Sequence, residues 1–359
     1  MKIGSLFDGI GVFCLAAQRN GIEPIWASEI ENLPIQVTKK HFPRVKHLGD
    51  ITQINGAEIE PVDIITAGSP CQDLSRGGRG AGLNGKRSGL FMEFIRIVRE
   101  MREATNNEYP RYIVWENVLG AFTSNKGADF RAVLEEVAEA DIPIPQSGRW
   151  ATAGMVRGNG REIAWRVLDS QYWGVPQRRN RIFLVCDFRG ECAGEILFEQ
   201  ESLRRNPEKI REKENQRHGE GVPGVSISSW WNGGQVSQTL DHVLYKKQAM
   251  PEKNRFPAVL VPAWEKCKPC EDYICNIHHG KHVSDCGCPE LDEWRKMGVM
   301  PYEPCILRFI TPLEGERIMG LPDDWTNLGS DTARYKAIGN SMVVPCAEWI
   351  MERIGVQSA

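Results

Sequence analysis

Over residues 1–190 short apolar runs alternate with helix-period segments, and this rhythm narrows the fold more than any other feature of the chain. Strands are predicted at Lys2–Phe7, Glu23–Ser28, Asp63–Ala67, Tyr112–Glu116 and Arg181–Cys186. Helices are predicted at Val12–Asn20, Leu33–His41, Gly89–Ala104 and Asp129–Ala140. Strands that alternate with helices can close a core only as an α/β layer structure. The fold class is therefore α/β, a doubly wound and mainly parallel sheet, with its ligand sites at the carboxyl ends of the strands.

The rhythm stops after about Arg189. Residues 199–220 are dense in charge, as a solvated helix or linker would be, and residues 221–305 mix Trp, Gly, Pro, Cys and His without a period. Order returns at Arg308, where Thr311 reads as a helix cap and Pro312 as the first helical residue. A chain of 359 residues suffices for two domains. With a net charge of −3, a nucleic-acid site would have to be a local basic surface. No run of 18 apolar residues exists, which predicts no membrane span. Met1 leads directly into a strand without a secretory signal, and the eleven cysteines then fit a reducing cytoplasm.

Cys71 stands in Gly68-Ser69-Pro70-Cys71-Gln72, just past the strand Asp63–Ala67 and at the start of a Gly-rich segment that is basic beyond Asp73. A strand-end thiol before a basic loop is placed as a nucleophile facing an anionic polymer. A small packing thiol is the competing reading. Phe7-Asp8-Gly9-Ile10-Gly11 joins the first strand to the first helix, where close glycines let a ligand approach the helix start. Acids follow at the ends of later segments, Glu29 and then Asp50. Each alone reads as a solvated turn residue. In order, they suit an adenosine-containing cofactor without a phosphate, such as S-adenosylmethionine. Glu116 also ends a strand, where partial desolvation would let it hold a proton; a capping role is the alternative. Arg179 and Arg181 precede the last strand at alternate positions, on one face if already extended, and suit phosphate or carbonyl oxygens.

The motifs Phe7–Gly11, Gly68–Gln72, Glu116–Val118, Gln177–Arg181, Arg308–Glu314 and Gly339–Ser341 resemble the DNA (cytosine-5) methyltransferase family, in the family's order and in the style of its phage and prophage members. The resemblance implies a Rossmann-like methyltransferase fold. It implies a catalytic domain of residues 1–190 plus 306–359, interrupted by a target-recognition domain of residues 191–305. It implies methylation of carbon 5 of a flipped-out cytosine in duplex DNA, with Cys71 as nucleophile, Glu116 on ring nitrogen 3, and Arg179 and Arg181 at the base oxygen and nearby backbone. The S-adenosylmethionine site would draw on Phe7, Asp8, Gly9, Gly11, Glu29, Ile30, Asp50, Ile51, Pro70, Asn340 and Ser341. A monomer is implied, with any restriction nuclease on a separate chain. The same catalytic domain acting on tRNA is the nearest rival, which the sizeable insert argues against.

Cys267, Cys270, Cys286 and Cys288 form a C-x-x-C and a C-x-C pair, a spacing that predicts a structural zinc site, with Cys275, His279 and His282 as alternative ligands. Free thiols in a small reduced domain are the competing reading.

Overall fold

The computed structural model describes residues 1–69, 89–198 and 310–358, together with the strand backbones of 258–262, 264–266, 273–275, 281–282 and 305–309. The first part of the chain runs β1 (Lys2–Leu6), α1 (Val12–Arg19), β2 (Glu23–Ser28), α2 (Asn32–His41), β3 (Lys46–His47) and β4 (Ile64–Ala67). It continues with α3 (Leu90–Ala104), β5 (Tyr112–Asn117), α4 (Ala128–Ala138), β6 (Ala153–Gly158), β7 (Arg161–Asp169), β8 (Asn180–Asp187) and α5 (Ala193–Leu197). After the short strands β9 (Ala258–Pro262), β10 (Trp264–Lys266), β11 (Tyr273–Cys275), β12 (Lys281–His282) and β13 (Cys305–Phe309), the chain ends in α6 (Pro312–Ile318), α7 (Asp331–Asn340) and α8 (Val344–Gln357).

Eight strands form one sheet in the order β3-β2-β1-β4-β5-β8-β7-β6. The pairs from β3 to β5 are parallel. Beyond β5 the sheet turns antiparallel, through β8, β7 and β6. The parallel half follows from sequence rhythm, because each of its crossovers is long enough for a helix. The antiparallel end departs from that expectation. Only the two-residue turn Asn159-Gly160, with φ of 49° and 70°, separates β6 from β7, so these strands can only fold back on each other.

The sheet is covered on both faces. On one, α1, α5, α6, α7 and α8 share a core with Ile3, Val114 and Phe183. On the other, α3 and α4 pack with Leu6, Ile65 and Trp115. Residues 310–358 thus belong to the same core as the amino-terminal strands, and so do Ala193, Ile196 and Leu197. Thr311 caps α6 as expected: its Oγ1 accepts from the Glu314 amide at 3.2 Å, and the Thr311 amide donates to Glu314 Oε2 at 2.6 Å.

Two glycines admit tryptophans from directly paired positions. Gly4 pairs with Trp26 and Gly154 with Trp165. A Cβ on either glycine would stand 2.1 Å or 2.2 Å from the facing ring, so each indole lies over bare backbone. Gly4→Ala is expected to destabilise the fold by about 1–3 kcal/mol through overpacking. Urea unfolding measures it, and an unchanged midpoint would contradict this packing.

Candidate active site at the carboxyl edge of the sheet

The bend after β1 is built from residues with φ in the left-handed region: Phe7 at 53°, Gly9 at 56° and Gly11 at 79°. An aromatic residue there is strained, and such strain collects at functional positions. Asp8 lies inside the bend, its amide donating to Ser28 O at 3.0 Å. Its carboxylate accepts from Thr38 Oγ1 at 2.9 Å and Cys14 Sγ at 3.4 Å, tying α1 and α2 together. Glu29 faces the same bend. Its Oε2 accepts from the Gly9 amide at 2.9 Å, and its Oε1 from the amides of Ile30 and Glu31 at 2.7 Å and 2.9 Å. Ile30 beside it is 73% exposed, an apolar surface at the mouth of the bend. Asp50 is exposed and caps the turn Ile51–Gln53 through Thr52. The Ile51 side chain packs in the core, which leaves its backbone as the part that can face a ligand.

The second half of the site lies where β4, β5 and β8 meet. A Cβ on Gly68 would stand 3.6 Å from Glu116 Oε2. Glu116 pairs with Arg181, Nε to Oε1 at 3.0 Å, with 13% and 16% of their side chains exposed. Burial pushes the Glu116 carboxyl above the usual carboxylate value, against the opposing pull of Arg181 and Arg179. The two arginines are not equivalent. Arg179 is buried and donates through Nη2 to the carbonyls of Gly339, at 3.0 Å, and Ser341. It therefore joins β8 to the carboxy-terminal segment. Ser341 is buried in this contact, whereas Asn340 is exposed. Pro70 and Cys71 lie outside the described residues.

Ser69, Trp115 and Asn117 flank or lie within the motifs around Cys71 and Glu116, but the sequence assigns them no role. Ser69 Oγ accepts from Trp115 Nε1 at 2.9 Å, and Ser69 O from Asn117 Nδ2 at 3.1 Å. These contacts follow from the β4–β5 register, in which Ala67 pairs with Trp115, and register is not written in either strand alone.

Of the candidate zinc ligands, Cys267, Cys270, His279, Cys286 and Cys288 lie outside the described residues. Cys275 and His282 fall on the paired strands β11 and β12, where Cys275 pairs with Lys281 and Ile274 with His282. Among the described residues no group of His, Cys, Asp or Glu is placed to hold a metal. No helix among them is long and apolar enough to cross a membrane.

Asp8 offers a test of this geometry. Burial is the largest influence and raises its carboxyl from 3.8 to about 6. The folded chain thus binds this proton more tightly than the unfolded chain. Its contribution to stability is present at low pH and lost as pH rises from about 4 to about 6, by up to about 3 kcal/mol. Asp8→Asn should therefore gain stability relative to wild type across that window in urea unfolding. A difference that does not change with pH would contradict the burial of a charged Asp8.

A family model described as C-5 cytosine-specific DNA methylase matches residues 1–356. The type II methyltransferase M2.BsuMI of Bacillus subtilis is 28% identical over 99% of this chain and 75% of its own length. A protein of Escherichia phage P1 named DNA N-6-adenine-methyltransferase is 27% identical over 98% of this chain, which spans 60% of that relative's length. Among solved structures, the Entamoeba histolytica methyltransferase EhMeth superposes with a TM-score of 0.60 at 16% identity, covering 100% of this chain and 99% of that one, a likeness of fold. With the motif order, the mixed sheet and a model match across nearly the whole chain, the protein belongs to the C-5 cytosine-specific DNA methylases, the DNA cytosine-5 methyltransferase family.

Proposed function

We propose that this chain methylates carbon 5 of a cytosine flipped out of a specific duplex DNA sequence, through a covalent adduct with Cys71. The observation that carries this reading is the Glu116 carboxyl at the end of β5. It is half-buried, raised in pKa, paired with Arg181 at 3.0 Å, and 3.6 Å from the Cβ position of Gly68, three residues before Cys71. Chain connectivity keeps the Cα of Cys71 within about 7 Å of that of Ser69. A nucleophile and a proton-holding acid therefore work from neighbouring strand ends.

The chemistry divides between them. The Cys71 thiolate forms a bond to carbon 6 of the ring, and the 5,6 π pair moves toward carbon 5. Glu116 holds a proton at ring nitrogen 3, which stabilises that electron density. Arg181 keeps Glu116 oriented and presents its remaining donors to the base oxygen. After carbon 5 is alkylated a water molecule takes its proton, the C5–H pair re-forms the 5,6 double bond, and Cys71 departs as thiolate. Extrusion of the base costs a few kcal/mol and is offset by contacts in the pocket.

S-adenosylmethionine is the cofactor expected for the family, and when bound it supplies the electrophilic methyl group. The residues of the bend fit it. Gly9 has open space where a Cβ would stand, which permits close approach of the methionine portion. Glu29 is fixed by three amides, with lone pairs left for ribose hydroxyls. Phe7 and the exposed Ile30 offer apolar surface to the purine, and Asp50 an acceptor for its amine.

α5 belongs to the catalytic core, so the stretch after it, up to about residue 305, supplies the DNA-reading part; the protein works in the cytoplasm as a monomer, any nuclease residing on another chain. The spacing of the Cys267–Cys270 and Cys286–Cys288 pairs supports a structural zinc there, for which metal analysis should find about one equivalent.

Transfer of a labelled methyl group to DNA tests the assignment. Cys71→Ser should reduce it to background with cofactor affinity retained, and Glu116→Gln should slow it by roughly 10²–10⁴-fold. Turnover by the Cys71→Ser variant would overturn the nucleophile.

A further inference from the structure

We infer that Trp115 is a positioning residue that fixes the strand end bearing the nucleophile, acting through Ser69. This rests on the proposed role of Cys71. Trp115 is fully buried and Ser69 is 5% exposed, so the 2.9 Å bond from Trp115 Nε1 to Ser69 Oγ is shielded from water. A buried indole N–H has a single proton to donate, and breaking this bond would leave it without a partner. Asn117 holds the same residue from the other side, donating to its carbonyl at 3.1 Å. The last described residue before Pro70-Cys71 is thus gripped at both its hydroxyl and its carbonyl.

The indole cannot swing to follow Ser69, because its ring is fixed by aromatic neighbours. Phe91 meets it edge-on at 5.6 Å and 70°, and Phe130 lies at 6.4 Å and 26°. Phe91 is the second residue of α3, the first helix after the segment that contains Cys71. One side chain therefore touches the chain on either side of residues 70–88: Ser69 before them, by a hydrogen bond, and Phe91 after them, by ring contact. Trp115 also immediately precedes Glu116 on β5. The acid and the root of the nucleophile share one rigid reference. A rotation of about 20° at Ser69 would carry a Cα about 7 Å away through about 2 Å. Misplacement on the order of 1 Å costs about a hundredfold in rate.

The test uses the full-length protein and duplex DNA carrying 5-fluorocytosine. Fluorine at carbon 5 cannot leave as a proton does, so the adduct persists and its formation rate is read directly. Trp115→Phe keeps the ring contacts and removes the N–H, and Ser69→Ala removes the acceptor. Each should slow adduct formation by about tenfold or more, with S-adenosylmethionine and DNA affinities within about twofold of wild type. The double variant should be about as slow as the slower single variant, because both changes remove one bond. A mere packing role would lower thermal stability and leave the adduct rate per folded molecule unchanged. The inference is overturned if either single variant forms adduct at more than about a fifth of the wild-type rate, or if the double variant recovers, which would trace the defect to an orphaned polar group. Should Trp115→Phe not fold, Ser69→Ala decides alone. No adduct with the wild-type protein would overturn the Cys71 reading itself, and this inference with it.

Discussion

The site depends on β8 returning antiparallel beside β5. In a wholly parallel sheet the start of that strand would lie at the opposite edge from the end of β5. Because β8 runs the other way, Asn117 pairs with Ile182, and the residues just before Ile182 arrive where β5 ends. That reversal puts the Arg181 guanidinium on the Glu116 carboxylate. Desolvation pushes that carboxyl above the usual carboxylate value, and Arg181 and Arg179 pull it back. Buried ion pairs contribute little net stability, because desolvation offsets most of the attraction. In the proposed reaction this pair holds a proton at a defined point.

The cofactor bend is held from parts of the chain far apart in sequence. Trp325 Nε1 donates to Ile10 O at 2.8 Å, and its ring lies parallel to His41 at 3.7 Å. His41 Nε2 in turn meets Trp325 O at 2.9 Å. The end of α2, the bend itself and the carboxy-terminal segment therefore form one contact. At the far side, Arg353 of α8 donates to the carbonyls of Ile196 and Phe198 at 2.6 Å and 2.9 Å. Phe198 precedes the intervening stretch and Ile310, buried in the core, follows it. A long insertion anchored at both ends in the core can vary without disturbing the edge where the chemistry sits.

Much of this was legible in the sequence, and the part that was not has physical reasons. The parallel half of the sheet, Thr311 as a cap and the strand-end acids all express local rules: hydrophobic period, cap chemistry, the glycine bend. The antiparallel strands β6 and β7 were missed because their alternation is weak, with Met155 and Arg157 outward on an edge strand and β7 buried at most positions. Arg179 and Arg181 were expected to act alike, since alternate residues of a strand share a face. Arg179 also donates to the carbonyls of Gly339 and Ser341, some 160 residues away, a partnership that no local pattern shows. Ser69 stands in the motif around Cys71, but nothing local links it to Trp115. Their bond exists only because β4 and β5 pair in one register, and register emerges from the whole core.

The central claim is that this edge methylates carbon 5 of cytosine. Similarity to a phage P1 protein named for adenine N-6 methylation makes the chemical identity of the product the decisive quantity. DNA treated with the purified protein and S-adenosylmethionine can be digested to nucleosides and resolved by mass spectrometry against authentic standards. The account predicts 5-methyldeoxycytidine as the methylated nucleoside. Methylation found on an exocyclic nitrogen, of adenine or of cytosine, with carbon 5 untouched would contradict it.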